Sequence, residues 1–229
     1  MRLFLSGGGG AKKSIVLDKK FASVIDKSKP LLYIPIAIDK AAHPYPECYK
    51  WISSVFNSLG IKSIILWTEQ DIDKNEYIEV DKFSGIYIGG GNTFYLMSAL
   101  RNSRFIDYLK NAIELDIPVY GGSAGAIILG KDIRTSSDED ESSLKDFAGL
   151  DLIHGYNIFC HYNKHPDWAK DSSKDLKTRS IALSEDSGLF VNEDKIEVIG
   201  PGSAYLPDKK LFIKPGQEIK FSASSSPAT

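Results

Sequence analysis

Short apolar runs alternate with longer amphipathic stretches over the first 130 residues. Residues 3–5 read as a strand, closed by a four-glycine turn at 7–10, and the mixed segment around 15–25 reads as a helix. Residues 31–36 form a continuous apolar run, interrupted by Pro35, and read as a buried strand with its end. Ile52, Val55, Phe56 and Leu59 recur at steps of three and four, so they share one face of a helix that Gly60 stops. Residues 63–67 and 85–88 are further strands, the second running into Gly89-Gly90-Gly91-Asn92-Thr93 and a helix. Phe105, Ile106, Leu109 and Ile113 mark another helical face, and residues 118–120 are a fifth strand. Strands alternating with helices predict an α/β fold with a mostly parallel sheet and helices on both faces. Such sheets bind ligands beyond the carboxyl ends of their strands.

After Gly130 the pattern changes. Residues 136–143 are acidic and serine-rich and read as an exposed loop. Short apolar runs at 158–160, 181–183, 188–191 and 195–199 predict strands near the C-terminus, partly antiparallel, with little helix. No linker or internal repeat divides the chain, so residues 1–229 are expected to form one domain. Residues 222–229 are small and polar and are expected to fray.

Composition narrows the class without naming a chemistry. The 229 residues are 42% hydrophobic and 25% charged, with formal net charge -2, which gives no nucleic-acid footprint. The two cysteines, Cys48 and Cys160, are too few for a disulfide framework. No charged-then-apolar leader opens the chain, and no apolar run reaches membrane-spanning length. A protein of the cytoplasm, with no membrane or nucleic-acid partner, is expected.

The chemistry concentrates at Val119-Tyr120-Gly121-Gly122-Ser123-Ala124-Gly125-Ala126-Ile127-Ile128. These residues read as a strand, a sharp turn and a helix start, with Ser123 at the G-x-S-x-G spacing. A serine on such a turn projects its hydroxyl away from the backbone, and only small neighbours let the flanking chain close. The turn leaves the Ala124 N–H free to face charge developing on an attacked carbonyl. The alternative is a glycine-rich turn with a bystander serine.

A serine nucleophile needs a base and a group that orients it. Of four histidines, His161 suits best, because it stands where the run at 156–160 leaves the core. His43 precedes Pro44 in a loop before the second helix, and His154 and His165 read as structural or solvated. Cys160 cannot pair with His161, since adjacent strand residues point to opposite faces; it reads as a small buried hydrophobe. Two acids compete for the third place. Glu185 follows a strand and would be held rigidly. Asp138 lies in a charge run of the kind that solvates. Gly90 or Gly91 is expected to supply a second oxyanion N–H, with Asn92 or Thr93 capping the next helix. The glycines at 7–10 are expected near the same edge. No cluster has metal-ligand spacing, so neither metal nor cofactor is expected.

Gly89-Gly90-Gly91-Asn92-Thr93-Phe94, Gly121-Gly122-Ser123-Ala124-Gly125-Ala126, Ile133-Arg134-Thr135-Ser136-Ser137-Asp138 and Cys160-His161-Tyr162 together resemble peptidase E, in the same order. That family contains serine dipeptidases that cleave after an N-terminal aspartate, with cyanophycinases as relatives. The resemblance implies a fold similar to class I glutamine amidotransferases (flavodoxin-like), with serine in place of their cysteine. It fits the order Ser123, His161, Glu185.

The chain departs from the family at three motifs. Ile127 stands where the dipeptidases usually have asparagine, Phe159-Cys160-His161-Tyr162 replaces Asn-Pro-His-Phe, and Ser184-Glu185-Asp186 replaces Pro-Glu-Gly. The segment between His161 and Glu185, which in the dipeptidases carries an arginine for the substrate aspartate, is short. Lys174 is the nearest match, ahead of Arg179. A lysine gives a point charge and not a bidentate fork, which weakens aspartate recognition.

The expectation is a serine peptidase of short peptides, with Ser123, His161 and Glu185 catalytic, Gly90, Gly91 and Ala124 at the oxyanion, and Asn92 and Lys174 touching substrate. The alternatives are a hydrolase of another amide or ester, or a non-catalytic binder on the same scaffold. A monomer or a homodimer is expected.

Overall fold

Alternation along the central strands buries both faces of a sheet. In β1 (Arg2–Ser6) Leu3 and Leu5 enter one core and Phe4 the other. β2 (Leu31–Ile34), β4 (Gly85–Ile88) and β5 (Val119–Gly122) do the same, with Ile86 and Ile88 on one side and Tyr87 on the other. The computed structural model describes residues 1–74, 79–176 and 178–219. The expected fraying at 222–229 therefore lies outside the described residues.

With β3 (Ile64–Leu66), these four strands form a parallel array in the order β1-β5-β4-β2-β3. The sheet grows beyond β1 by three antiparallel strands, β8 (Gly188–Asn192), β9 (Lys195–Ile199) and β12 (Glu218–Ile219). One face is covered by α1 (Ala11–Val24) and α2 (Tyr45–Asn57), through Leu17, Phe21, Ile52 and Phe56. The other is covered by α4 (Thr93–Arg101) and α5 (Phe105–Glu114), through Leu96, Leu100, Phe105 and Leu109. The fold is thus α/β with a mostly parallel sheet and helices on both faces. A single turn, α3 (Glu69–Ile72), opens on a capping box between Thr68 and Asp71.

Phe21 is fully buried, with its ring 5.2 Å from Phe4, 5.9 Å from Phe56 and 5.4 Å from Tyr120, all edge-on. Truncating such a ring costs about 3–5 kcal/mol. Beside it Tyr120 stacks on Tyr87 at 4.4 Å and donates to Asp18 Oδ1 at 2.8 Å. Burial raises the Asp18 carboxyl to about 6, against the pull of its Tyr120 and Ser14 hydrogen bonds.

A second sheet has the order β11-β10-β7-β6. It comprises β6 (Asn157–Phe159), β7 (Ser180–Leu183), β10 (Ala204–Leu206) and β11 (Leu211–Ile213). Only the β6–β7 pair is parallel; β10 runs antiparallel to both neighbours. Between β6 and β7 lies α7 (Pro166–Leu176), which corrects the expectation of little helix in this half. Its buried residues are Ala169 and Ser173 alone, so it carries no apolar stripe for periodicity to detect. Its start was readable from Pro166 and Asp167, a proline and an acid in the first turn.

Candidate active site

The loops after β1, β4 and β5 meet at one edge of the large sheet. β5 hands over at Ser123, which holds φ 48° and ψ -108°, and a one-turn helix α6 (Ala124–Ile127) follows. Backbone held in such a sparsely populated region costs on the order of 1–3 kcal/mol and needs surrounding structure to impose it. Two features impose it here. The Ser123 N–H donates to the Ser6 carbonyl at 3.1 Å, tying the turn to the end of β1. A Cβ at Gly121 would lie 2.4 Å from the Gly125 carbonyl oxygen, and one at Gly125 would lie 2.3 Å from that of Ile88. The spacing of the two glycines around Ser123 is therefore a steric requirement.

His161 approaches from the second sheet. Two residues past β6 the chain turns through a left-handed His161 (φ 55°), whose N–H donates to the Gly7 carbonyl at 3.0 Å. This turn points the imidazole at the edge, and Nε2 lies 2.9 Å from Ser123 Oγ. Gly8 forms the opposite wall: a Cβ there would lie 2.4 Å from His161 Nε2. The Cys160 thiol turns inward to the carbonyls of Ser6 and Ser123, each at 3.6 Å, and burial raises its pKa far above the ordinary thiol range.

Glu185 stands two residues past β7, its N–H donating to Asn163 Oδ1 at 2.9 Å. Its carboxylate is buried, and Oε1 lies 3.1 Å from His161 Nδ1. An N–H on Nδ1 facing this carboxylate leaves Nε2 as an acceptor for the Ser123 hydroxyl. Two ammonium groups close the remaining acceptor positions: Lys13 Nζ at 2.5 Å from Oε2 and Lys164 Nζ at 2.6 Å from Oε1. Lys13 first, then Lys164, hold the Glu185 carboxyl down at about 2. Sequence reasoning missed both lysines. The available signal was their position, Lys13 just past the glycines at 7–10 and Lys164 just past His161.

The remaining site candidates divide. No acceptor among the described residues takes the N–H of Gly90, Gly91 or Ala124. Gly90 abuts the Ser123 turn, with a Cβ position 3.1 Å from Ser123 Cβ. Asp138 faces another way. Its Oδ2 accepts from the Thr93 N–H at 2.8 Å and from Ser136 Oγ at 2.6 Å, at the start of α4. The segment expected to be an exposed loop thus begins with a buried Ser136. Asn92 caps α4, accepting from the Tyr95 N–H at 2.9 Å and donating to the Glu139 carbonyl at 2.9 Å. Both ends of its amide are thus engaged in holding the start of α4. Lys174 is exposed on α7, pairs with Asp171 at 2.8 Å, and lines a surface hollow with Lys170, Tyr205 and Asp208. Arg179 donates to the His154 carbonyl at 2.9 Å and covers the Tyr156 ring at 4.7 Å. Among the described residues neither cation contacts Ser123, His161 or Glu185.

Next to Gly90 opens a cavity of about 360 Å³, walled by Tyr33, Ile38, His43, Glu47, Cys48, Trp51, Tyr87, Gly89 and Gly90. Among the described residues no group of three or more His, Cys, Asp or Glu side chains is placed to hold a metal ion, and no helix is long and apolar enough to cross a membrane.

Comparison with known proteins places this chain in a family. The model of peptidase family S51 matches residues 3–199. Peptidase E of Shewanella denitrificans is 26% identical over 210 residues, covering 86% of this chain and 84% of that protein. Peptidase E of Nostoc sp. is 23% identical over 189 residues, covering 78% and 75%. The crystal structure of a peptidase from an acI-B1 Actinobacterium superposes with a TM-score of 0.74 at 22% identity, covering 96% of each chain, and shares the fold. A family match that runs from β1 through β9, across every strand that frames the Ser123 edge, means that this chain belongs to peptidase family S51 and is a serine-type peptidase.

Proposed function

We propose that the chain hydrolyses short peptides through Ser123, His161 and Glu185. The observation that carries this reading is the continuous relay: Ser123 Oγ to His161 Nε2 at 2.9 Å, and His161 Nδ1 to Glu185 Oε1 at 3.1 Å. Ser123 Oγ attacks the scissile carbonyl carbon as His161 Nε2 takes its proton. The N–H groups of Ala124 and of Gly91 or Gly90 face the oxyanion. Collapse of the tetrahedral intermediate breaks the C–N bond, and His161 returns the proton to the leaving amine. Water then attacks the acyl ester, giving its proton to His161, and the second collapse frees the carboxylic acid and Ser123. Glu185 stays ionised throughout and stabilises the imidazolium that forms twice in the cycle.

Specificity for aspartate at the acyl position is altered on this reading. The walls of the cavity beside Gly90 carry no lysine or arginine, and Lys13 and Lys164 are bound to Glu185. Asp-Xaa peptides are expected to be turned over weakly. The test has two parts: a fluorophosphonate probe with mass mapping of the labelled residue, and a dipeptide screen with Ser123→Ala as control. Label on Ser123 and turnover lost in the variant support the proposal. Turnover unchanged in Ser123→Ala would refute it.

A further inference from the structure

The cavity beside Gly90 has the chemistry of a cation site. It is lined by Tyr33 and Tyr87, buried and in edge-to-face contact at 5.6 Å, and by the exposed Trp51, edge-on to Tyr87 at 6.2 Å. The exposed Glu47, in the first turn of α2 and one turn before Trp51, is part of its wall. Glu47 makes no ion pair or side-chain hydrogen bond among the described residues, and neither does the Trp51 indole N–H. Glu47 is the one carboxylate of the wall, and the wall holds no ammonium or guanidinium. Lys40, on the loop that carries Ile38 and His43, is held away by Glu69 at 2.8 Å. Aromatic rings with a free carboxylate beside them attract an organic cation and repel a carboxylate.

The position of the cavity assigns it to one side of the scissile bond. The leaving amine must reach His161 Nε2, which arrives from the side of Gly7 and Gly8. The cavity instead shares Gly90 with the oxyanion loop and has neither Gly8, His161 nor Glu185 in its wall. It therefore receives the acyl part of the substrate.

We infer that this cavity binds a positively charged group of the acyl residue, with Glu47 as its counter-ion and Trp51 and Tyr87 as its aromatic walls. This rests on the reading of Ser123 as nucleophile only for the side of the bond. The cation has two sources, a basic side chain or the free α-ammonium of the peptide. The experiment separates them by comparing Lys-Leu, norleucine-Leu and Asp-Leu, each with a free and an acetylated N-terminus. Hydrolysis is followed by chromatography with wild type, Glu47→Gln and Ser123→Ala. Binding is followed in parallel by tryptophan fluorescence of the Ser123→Ala protein, with and without Glu47→Gln.

If the side chain is read, Lys-Leu exceeds norleucine-Leu about tenfold in kcat/KM and in affinity, and Glu47→Gln removes the difference. If the α-ammonium is read, acetylation weakens all three peptides about tenfold, and Glu47→Gln removes that penalty instead. Preference for Asp-Leu, or ratios that Glu47→Gln leaves unmoved in the binding assay, would overturn the inference. Failure of the nucleophile reading shows separately, as turnover that survives Ser123→Ala.

Discussion

Replacing Glu185 by glutamine tests the relay at its least accessible point. The carboxylate accepts from three sides: His161 Nδ1 at 3.1 Å, Lys13 at 2.5 Å and Lys164 at 2.6 Å. Glutamine keeps the shape but has one carbonyl oxygen and one NH₂. Lys164 shares Oε1 with His161 while Lys13 holds Oε2, so a carbonyl oxygen drawn to Lys13 leaves the NH₂ facing His161, and one drawn to Lys164 leaves it facing Lys13. In the first arrangement Nδ1 must accept, which puts the imidazole proton on Nε2, where it cannot receive the Ser123 proton. The imidazolium also loses its counter-ion. A hydrogen bond to a charged group is worth about 1.5–3 kcal/mol, or roughly ten- to a hundredfold in rate. The wrong tautomer takes the expected loss in kcat to about 10²–10⁴-fold.

The lysines make the argument specific to this chain. Lys13 is the ammonium that draws the carbonyl oxygen away from His161, so Lys13→Met in the Glu185→Gln background is expected to regain about tenfold over Glu185→Gln alone. The assay is kcat on any peptide the wild type cleaves, with circular dichroism to establish folding. Asp138→Asn, at the α4 start, is expected to cost far less. A Glu185→Gln enzyme within threefold of wild type would refute the role of Glu185. A Lys13→Met, Glu185→Gln double variant no faster than Glu185→Gln would refute the tautomer argument.

Ser123→Gly relieves the positive φ of the nucleophile turn while Ser123→Ala does not, so the glycine variant is expected to be more stable by about 1 kcal/mol, read as a higher Tm, with both inactive. Gly8→Ala puts a methyl group into the His161 ring and is expected to lower kcat by about 10²-fold in a folded protein, because a displacement near 1 Å breaks the relay. Asp18 titrates from 3.8 to about 6 on folding, so the unfolded chain gives up its proton first, and the stability present below about pH 4 is lost as pH rises through 6. The stability of Asp18→Asn relative to wild type should therefore rise by up to about 3 kcal/mol between pH 4 and pH 7.5, as measured by urea unfolding. An unchanged difference across that range would show that Asp18 does not titrate on folding.

The residues themselves determined the parallel array and the sharp turn at Ser123. Residues 85–88 and 118–120 are apolar on both faces, which only a covered sheet allows, and the glycine spacing of the turn follows from the Gly121–Gly125 contact, while the ends of β1 and β4 hold it in place. His161 and Glu185 were legible as residues just past strands. Their meeting was not, because it needs β6 and β7 to pair in parallel and the Gly7 carbonyl to seat the His161 turn.

Tertiary structure decided the rest, because partners distant in sequence leave no local pattern. Lys13 and Glu185 are 172 positions apart, and nothing near either residue announces the pair. Lys174 was close to the expected position by counting along the chain, but α7 turns it outward, and counting cannot give the direction of a helix that has no apolar stripe. The cavity at Glu47 joins β2, α2 and β4, three elements whose separate sequences each look like ordinary core and surface. Short-range sterics set what each turn can be, while packing between elements sets which charges face one another and which space stays open.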